Sequence, residues 1–358
     1  MRKLYVFGSN GEGQLGEGIP IADIVSKPTA LPYNPCFENV KAIRSGDNHT
    51  LFLSDDESVS GTGDNRVGQL VIGDQRPRVD RLEKLEDGVS FCAATCESSA
   101  FVSFYGAHSI ILTLGRGQWG ELGRGDQEDM GGFGDSESLL SDPYLHGDIA
   151  DFAAGVWHYV AVMTDGSVFG WGKARLGQLG DKLSNKVSTP TKIENISFKP
   201  IKVVCGKDFT YLVGDSSTGE HMVLGKDKFN IISAMPSDIK GWKDVGATWH
   251  AIFVLFEDGR LTAWGKENMW KLLPPNLPLI EKIAVGSDHI LALTKDNKLI
   301  SWGWGKHGNC GDLSNIQHEV KNDMISGFWN EIDIPGQIRS IAAGYCTSFV
   351  ITEDKEED

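Results

Sequence analysis

Short apolar runs recur along this chain, each opened by small residues and followed by a glycine-rich polar turn. One form is S-G-D-N-H-T-L-F-L at Ser45–Leu53. It returns as A-A-G-V-W-H-Y-V-A-V at Ala153–Val162, C-G-K-D-F-T-Y-L-V at Cys205–Val213, G-A-T-W-H-A-I-F-V at Gly246–Val254 and V-G-S-D-H-I-L-A-L at Val285–Leu293. A-A-T-C-E-S-S-A-F-V at Ala93–Val102 is a degenerate copy, and A-A-G-Y-C-T-S-F-V-I at Ala342–Ile351 is the last. Several runs lead through Asp165-Gly166, Asp258-Gly259 or Asp296-Asn297 into a second apolar run, which predicts β-hairpins. Helix-period stretches are nearly absent.

A second motif closes each hairpin. Its copies are F-G-S-N-G-E-G-Q-L-G (Phe7–Gly16), T-G-D-N-R-V-G-Q-L (Thr62–Leu70), L-G-R-G-Q-W-G-E-L-G (Leu114–Gly123) and W-G-K-A-R-L-G-Q-L-G (Trp171–Gly180). Two worn copies follow, L-G-K-D-K-F (Leu224–Phe229) and W-G-K-E-N-M (Trp264–Met269), and then W-G-W-G-K-H-G-N-C-G (Trp302–Gly311). The leading glycines are Gly8, Gly63, Gly115, Gly172, Gly225, Gly265 and Gly303, separated by 55, 52, 57, 53, 40 and 38 residues. Self-similarity at this period, built from short strands and glycine turns, predicts a β-propeller. The chain opens with the second half of a repeat and finishes with a first half. An all-β, seven-bladed propeller is therefore expected over residues 1–353, closed by N- and C-terminal strands sharing one blade, with residues 354–358 as an acidic tail.

Composition narrows the function. Glycine supplies 43 of 358 residues, consistent with many tight turns, and the formal charge of −15 lacks the basic footprint of a phosphate-gripping protein. Direct nucleic-acid or membrane binding is not expected. No apolar run reaches the length of a signal-peptide core or a membrane span. Six sparse cysteines fit a reduced compartment, with no disulfide or metal role expected.

The glycine triplets Gly11/Gly13/Gly16, Gly115/Gly117/Gly120 and Gly303/Gly305/Gly308 have dinucleotide spacing, but none lies between a buried strand and a helix start. They read as blade turns, and no cofactor is expected. Cys310 stands where other repeats carry leucine and should be a buried small hydrophobe. His49, His158, His250 and His289 are read as one recurring position that bonds neighbouring backbone. A ring of equivalents is no catalytic constellation, so no catalytic residue is assigned.

Departures from the repeat suggest an interaction surface instead. The position after the leading glycine is polar in six copies but holds Trp304 in the seventh, which predicts an exposed indole. Trp157 and Trp249 precede recurring histidines where other copies are polar. An antiparallel hairpin brings both motifs to one face. Trp249, His250, Asp288, Trp304, Lys306 and His307 are expected to form one partner-binding patch there, with Trp157 as a further member.

The repeats resemble the regulator-of-chromosome-condensation family, whose blades carry the A-G-x-x-H-T-L-A-L and W-G-x-N-x-x-G-Q-L-G pattern. Trp302–Gly311, Gly206-Lys207-Asp208-Phe209 and Gly344-Tyr345-Cys346-Thr347 are similar to its fungal killer-toxin-insensitivity branch, also described as alpha-tubulin suppressors. That likeness implies a non-enzymatic heterodimer with a small CSL-type zinc-binding protein, which holds the metal itself. It further implies support of diphthamide synthesis on translation elongation factor two and, indirectly through Elongator components, of tRNA wobble-uridine modification. A cytoplasmic location follows, with the nucleus as a second. The alternative is the namesake's guanine-nucleotide exchange on a Ran-type GTPase. Against it stand the acidic balance and the scant residues before the first strand, and for it a wedge-like insertion at Asp126–Gly147. A hydrolase or lyase using a central channel has no constellation to support it.

Overall fold

The structure, a computed structural model, describes residues 1–70, 76–126, 130–131 and 144–354. The insertion at 126–147 and the tail at 354–358 therefore lie largely outside the described residues. Seven antiparallel sheets follow one another along the chain. Blade one comprises Val40–Ser45, His49–Ser54, Val59–Asp64 and Arg78–Glu86. Blade two holds Phe91–Ala94, Ser98–Tyr105 and His108–Arg116, with Met130–Gly131 and Tyr144–His146 both pairing to its third strand. Blade three comprises Ile149–Ala154, His158–Met163, Val168–Lys173 and Lys186–Lys192.

Blades four and five are three-stranded among the described residues. They are Lys202–Cys205, Phe209–Val213, His221–Gly225, and Trp242–Ala247, Ala251–Phe256, Leu261–Gly265. Blade six comprises Ile280–Val285, His289–Thr294, Leu299–Trp304 and Met324–Ile332. Blade seven is shared: Gln337–Ala343 and Thr347–Glu353 from the end of the chain join Arg2–Gly8 and Val25–Ala30 from its start. Seven residue pairs, from Arg2↔Glu353 to Gly8↔Thr347, close the ring. Split-blade closure is thus as expected from the repeat phase.

The pairing register explains the leading glycine. It lies opposite the residue that starts the second strand in every blade: Gly63↔His49, Gly115↔Ser98, Gly172↔His158, Gly225↔Phe209, Gly265↔Ala251, Gly303↔His289 and Gly8↔Thr347. All seven have positive φ, and a Cβ on Gly63 would come within 2.4 Å of the Asn48 carbonyl oxygen. Only glycine fits there.

The same register corrects the histidine reading. His250 does not occupy the recurring position; Ala251 does. Blade five replaces the usual loop glycine with Thr248, whose N–H donates to the Ala251 carbonyl as the Gly46 N–H does to that of His49. The recurring histidine therefore appears three times. Besides the expected neighbouring backbone, at Ser98, Phe209 and Thr347, it engages a side chain. His49, His158 and His289 reach the next blade, with Nε2 at 3.0, 3.0 and 2.9 Å from the hydroxyls of Ser99, Thr210 and Ser348. Each hydroxyl already donates 2.7 Å to the carbonyl of Gln69, Gln178 or Asn309 in the histidine's own blade, so Nε2 is the donor in each pair. Burial lowers these imidazoles to about 4, 4 and 3.

Core packing runs between blades. Trp171, Trp264 and Trp302 are buried and donate their indole N–H to the carbonyls of Glu121, Ile231 and Leu272 in the preceding blade. Cys310 is fully buried in the cluster containing Trp302 and Ile325, as its leucine-like position predicted.

Candidate interaction surface

The innermost strands surround a central channel of about 370 Å³, whose walls include Arg44, Asp151, Lys202 and Asp244. At one mouth the loops between first and second strands pass backbone hydrogen bonds from blade to blade. Asp47 N–H donates to Cys96, Cys96 to Val156, Lys207 to Trp249, Trp249 to Ser287 and Ser287 to Gly344. This mouth lies on the face bearing both repeat motifs, because each second strand starts beside the finish of the third.

The one-residue shift in blade five changes where Trp249 points. It does not match Trp157; it occupies the inner loop position held elsewhere by Asp47, Cys96, Val156, Lys207, Ser287 and Tyr345. Its ring meets Tyr345 of blade seven edge-on, 5.4 Å between centroids, across the channel mouth. Lys207 places its ammonium 5.3 Å from the centre of the Trp249 ring. The Tyr345 hydroxyl lies against the Cys96 thiol of blade two, and burial together with that neighbour raises its pKa well above the ordinary value. Trp249 and Tyr345 therefore narrow the channel mouth.

The expected patch is divided accordingly. Trp304 is half-buried rather than fully exposed, because His307 stands edge-on to it at 5.4 Å. His307 in turn places Nδ1 3.0 Å from the Asp23 carbonyl, drawing this pair toward blade seven. Lys306 beside it is exposed. Trp249 and Trp304 make no ring contact with each other among the described residues. Asp288 stays between them: its carbonyl accepts the Trp304 N–H at 2.7 Å, and burial raises its carboxyl to about 6 against the opposing pull of Lys266 and Lys207. Trp157 is half-buried in blade three, its carbonyl accepting from Lys173 N–H.

A device that the sequence did not reveal governs this face. The residue four past the leading glycine leans on the following blade. Trp119 lies beneath Lys173 and Arg175 at 5.4 and 5.8 Å. Phe229 meets the His250 ring at 5.2 Å and carries Lys228 and Lys266, each at 5.2 Å. Glu12 pairs with Arg66 at 3.2 Å. The lysines were visible as a polar repeat position; their meeting with an aromatic ring was not, since the two come from different repeats. Burial first, and then Lys266, Lys228 and Lys207, lower the His250 imidazole to about 4. Among the described residues, no group of three or more His, Cys, Asp or Glu side chains is disposed to hold a metal, and no helix is long and apolar enough to cross a membrane.

Comparison with known proteins agrees with this architecture. Models of the regulator of chromosome condensation (RCC1) repeat match residues 3–53 and 165–213, and a second form matches 40–69, 149–178 and 280–309. An RCC1 repeat-containing protein of Schizosaccharomyces pombe is 28% identical over 99% of this chain and 100% of its own length. The ultraviolet-B receptor UVR8 of Arabidopsis thaliana is 29% identical over 88% of this chain and 75% of its own. Among solved structures, human WBSCR16 superposes with a TM-score of 0.78 at 18% identity, covering 99% of this chain and 100% of that one. Prp20p of Saccharomyces cerevisiae, studied for its binding to Gsp1p and histones, reaches 0.77 at 18% identity over 99% and 92%. Sheet order, pairing register and these likenesses converge: the chain is an all-β, seven-bladed propeller that carries RCC1 repeats over the matched stretches.

Proposed function

We propose that this propeller is a non-enzymatic interaction platform. It pairs with a small CSL-type zinc-binding protein, and the pair supports diphthamide synthesis on translation elongation factor two and Elongator-dependent wobble-uridine modification of tRNA. The zinc in this reading is the partner's. The observation that carries the platform reading is the motif face. There aromatic rings are held half-open by neighbouring cations, while the titratable groups below them, the three recurring histidines, are consumed in joining blades. Large, rigid rings beside fixed charge suit a protein interface. Titration calorimetry of the chain against the zinc-loaded partner should give a one-to-one complex, and a flat titration would sink the reading.

A second reading has its own support. Prp20p has the same architecture and binds Gsp1p, so exchange on a Ran-type GTPase is the competing function. Release of fluorescent GDP from Ran should stay at its spontaneous rate when the chain is added. Saturable acceleration would transfer the argument to exchange.

A further inference from the structure

The chain has a formal charge of −15, yet one sector of its motif face is cationic. Over blades four and five, Lys207, Lys228 and Lys266 make no salt bridge among the described residues, and their ammonium groups rest on Trp249 and Phe229. Over blade three, Lys173 and the exposed Arg175 extend the sector onto Trp119. Glu267 beside Lys266 is exposed, and the other nearby acids are already engaged or withdrawn. Asp208 pairs with Lys173 at 3.5 Å, and the exposed Asp227 carboxylate accepts the N–H groups of Ile232 and Ser233 at 2.8 and 3.0 Å. Asp288 is largely withdrawn from solvent.

Backbone strain marks the same spot. Phe229 has φ of 60° and Asn230 of 59°, and a phenylalanine in the left-handed region is costly unless its surroundings hold it there. What holds it is the ring contact with His250 and two lysines, so the chain spends conformational energy to present an aromatic platform under positive charge.

Acidic groups gather on another part of the face. Asp47, Asp64 and Glu97 line blades one and two, with Glu12 beside them, and Arg66 is taken up by Asp64 at 2.9 Å and Glu12 at 3.2 Å. A long polyphosphate crossing the face would run from the cationic sector onto this acidic one and lose what it had gained. A short carboxylate segment can stay within a Debye length of the lysines.

We propose that the crescent formed by Lys207, Lys228, Phe229 and Lys266, continued by Lys173 and Arg175, docks an acidic, carboxylate-rich segment of a partner protein. The inference rests on the platform reading for the existence of a protein partner, and it adds that partner's chemistry and its place on the ring. The lysines meet the carboxylates, and the rings of Phe229 and Trp249 fix the ammonium groups between them.

The probe is a fluorescent oligoglutamate peptide, followed by anisotropy against the intact chain. A triple variant, Lys207→Glu, Lys228→Glu and Lys266→Glu, is compared with a control of equal charge change, Lys192→Glu, Lys199→Glu and Lys240→Glu, at exposed lysines away from the crescent. The crescent variant should bind about tenfold or more weakly, with the control within about twofold of the parent and the parent's affinity falling as salt rises. Lys228 is exposed but Lys207 and Lys266 are half-buried, so melting curves check the fold of both variants, and Lys228→Gln with Lys266→Gln serves as a milder second variant that should still weaken binding about threefold or more. Equal weakening by both triples would assign the effect to bulk charge and overturn the proposal. So would absence of saturable binding, or tighter binding of an oligonucleotide of matched charge. The zinc-loaded partner is titrated separately. Peptide binding through the crescent with no complex formed would sink the platform's named partner while leaving this inference standing.

Discussion

Blades four and five differ from blades one, three and six in the way they meet their neighbours. In the latter three, a buried histidine reaches a serine or threonine hydroxyl in the next blade, which is tied back to the first blade's turn. Blade two reaches a similar end with exchanged volumes, the small Ser98 meeting the large Tyr159 at 2.9 Å. At that recurring position blades four and five are apolar: Phe209 packs in a cluster with Ile252, and Ala251 in one with Ile290. They also stop at three strands, and they bear the lysine-on-ring contacts. Histidine joints hold part of the ring, while the blades that replace them with apolar packing, still tied by the Trp264 and Trp302 indole bonds, present the surface. A polar joint specifies register and is costly to break; an apolar one tolerates divergence in the loops above it.

The most severe way to break this comparison is to remove closure altogether. Deleting residues 1–9 strips a strand paired on both sides in blade seven, and it should cost at least about 4 kcal/mol, with aggregation through the exposed edges. A truncated chain that melts cooperatively at the parent temperature would contradict it.

Next comes the contrast between joint and surface. Trp264→Ala empties a buried site and orphans the Ile231 carbonyl, at a cost of about 3–5 kcal/mol. Phe229→Asn should leave stability within about 1 kcal/mol, since asparagine tolerates the left-handed region. Denaturant titration reads both. A large loss from Phe229→Asn would make that ring structural.

Acidity sharpens the comparison. The joint histidines protonate near 6.5 when unfolded but only near 3–4 when folded, so the unfolded state binds more protons between those values. Their stabilisation is complete above pH 6.5 and should fall as pH drops toward 4, by on the order of 2 kcal/mol for each histidine. Glu121 runs the other way. It stands where other turns have glutamine, it accepts the Trp119 N–H at 2.8 Å, and burial raises its carboxyl to about 7 from 4.5. The folded state then holds the extra proton, and stability falls as pH rises from 4.5 through 7. Glu121→Gln should raise the melting temperature at pH 8, by about 1–2 kcal/mol equivalent, and have little effect at pH 4. Melting curves across pH settle both signs.

The smallest effect is expected at Trp304. Trp304→Lys restores the polar residue of the other copies and sacrifices only the edge contact with His307, so stability should change by about 1 kcal/mol or less. If the indole anchors the zinc-binding partner, affinity drops by about 2 kcal/mol in the same variant. Unchanged affinity would confine the interface to the other sector.

The ring was legible because its signal is periodic: glycine is demanded wherever the third strand passes under the start of the second, so Gly8 to Gly303 recur. Even the short blades left a trace, in the gaps of 40 and 38 residues that follow Gly225 and Gly265. The patch was legible only in part. Trp249 was placed by matching letters, whereas its position is decided by Ala251 pairing with Gly265, a fact of register that a nearby histidine disguised. The crescent was hidden for another reason. Phe229 and Lys266 belong to separate repeats and meet only when one blade reaches over the next.

Closure also sets a timetable. Arg2–Gly8 is synthesised before the six other blades, yet one of its pairing partners, Thr347–Glu353, is synthesised after all of them. Until then Arg2–Gly8 must wait beside Val25–Ala30 with one hydrogen-bonding edge open, while six blades form between the two partners. Such long-range pairing is slow and exposes sticky edges to other chains. The nascent propeller is therefore most vulnerable immediately before Thr347–Glu353 is released, and a chaperone that shields an unpaired β-edge would have the most to contribute then.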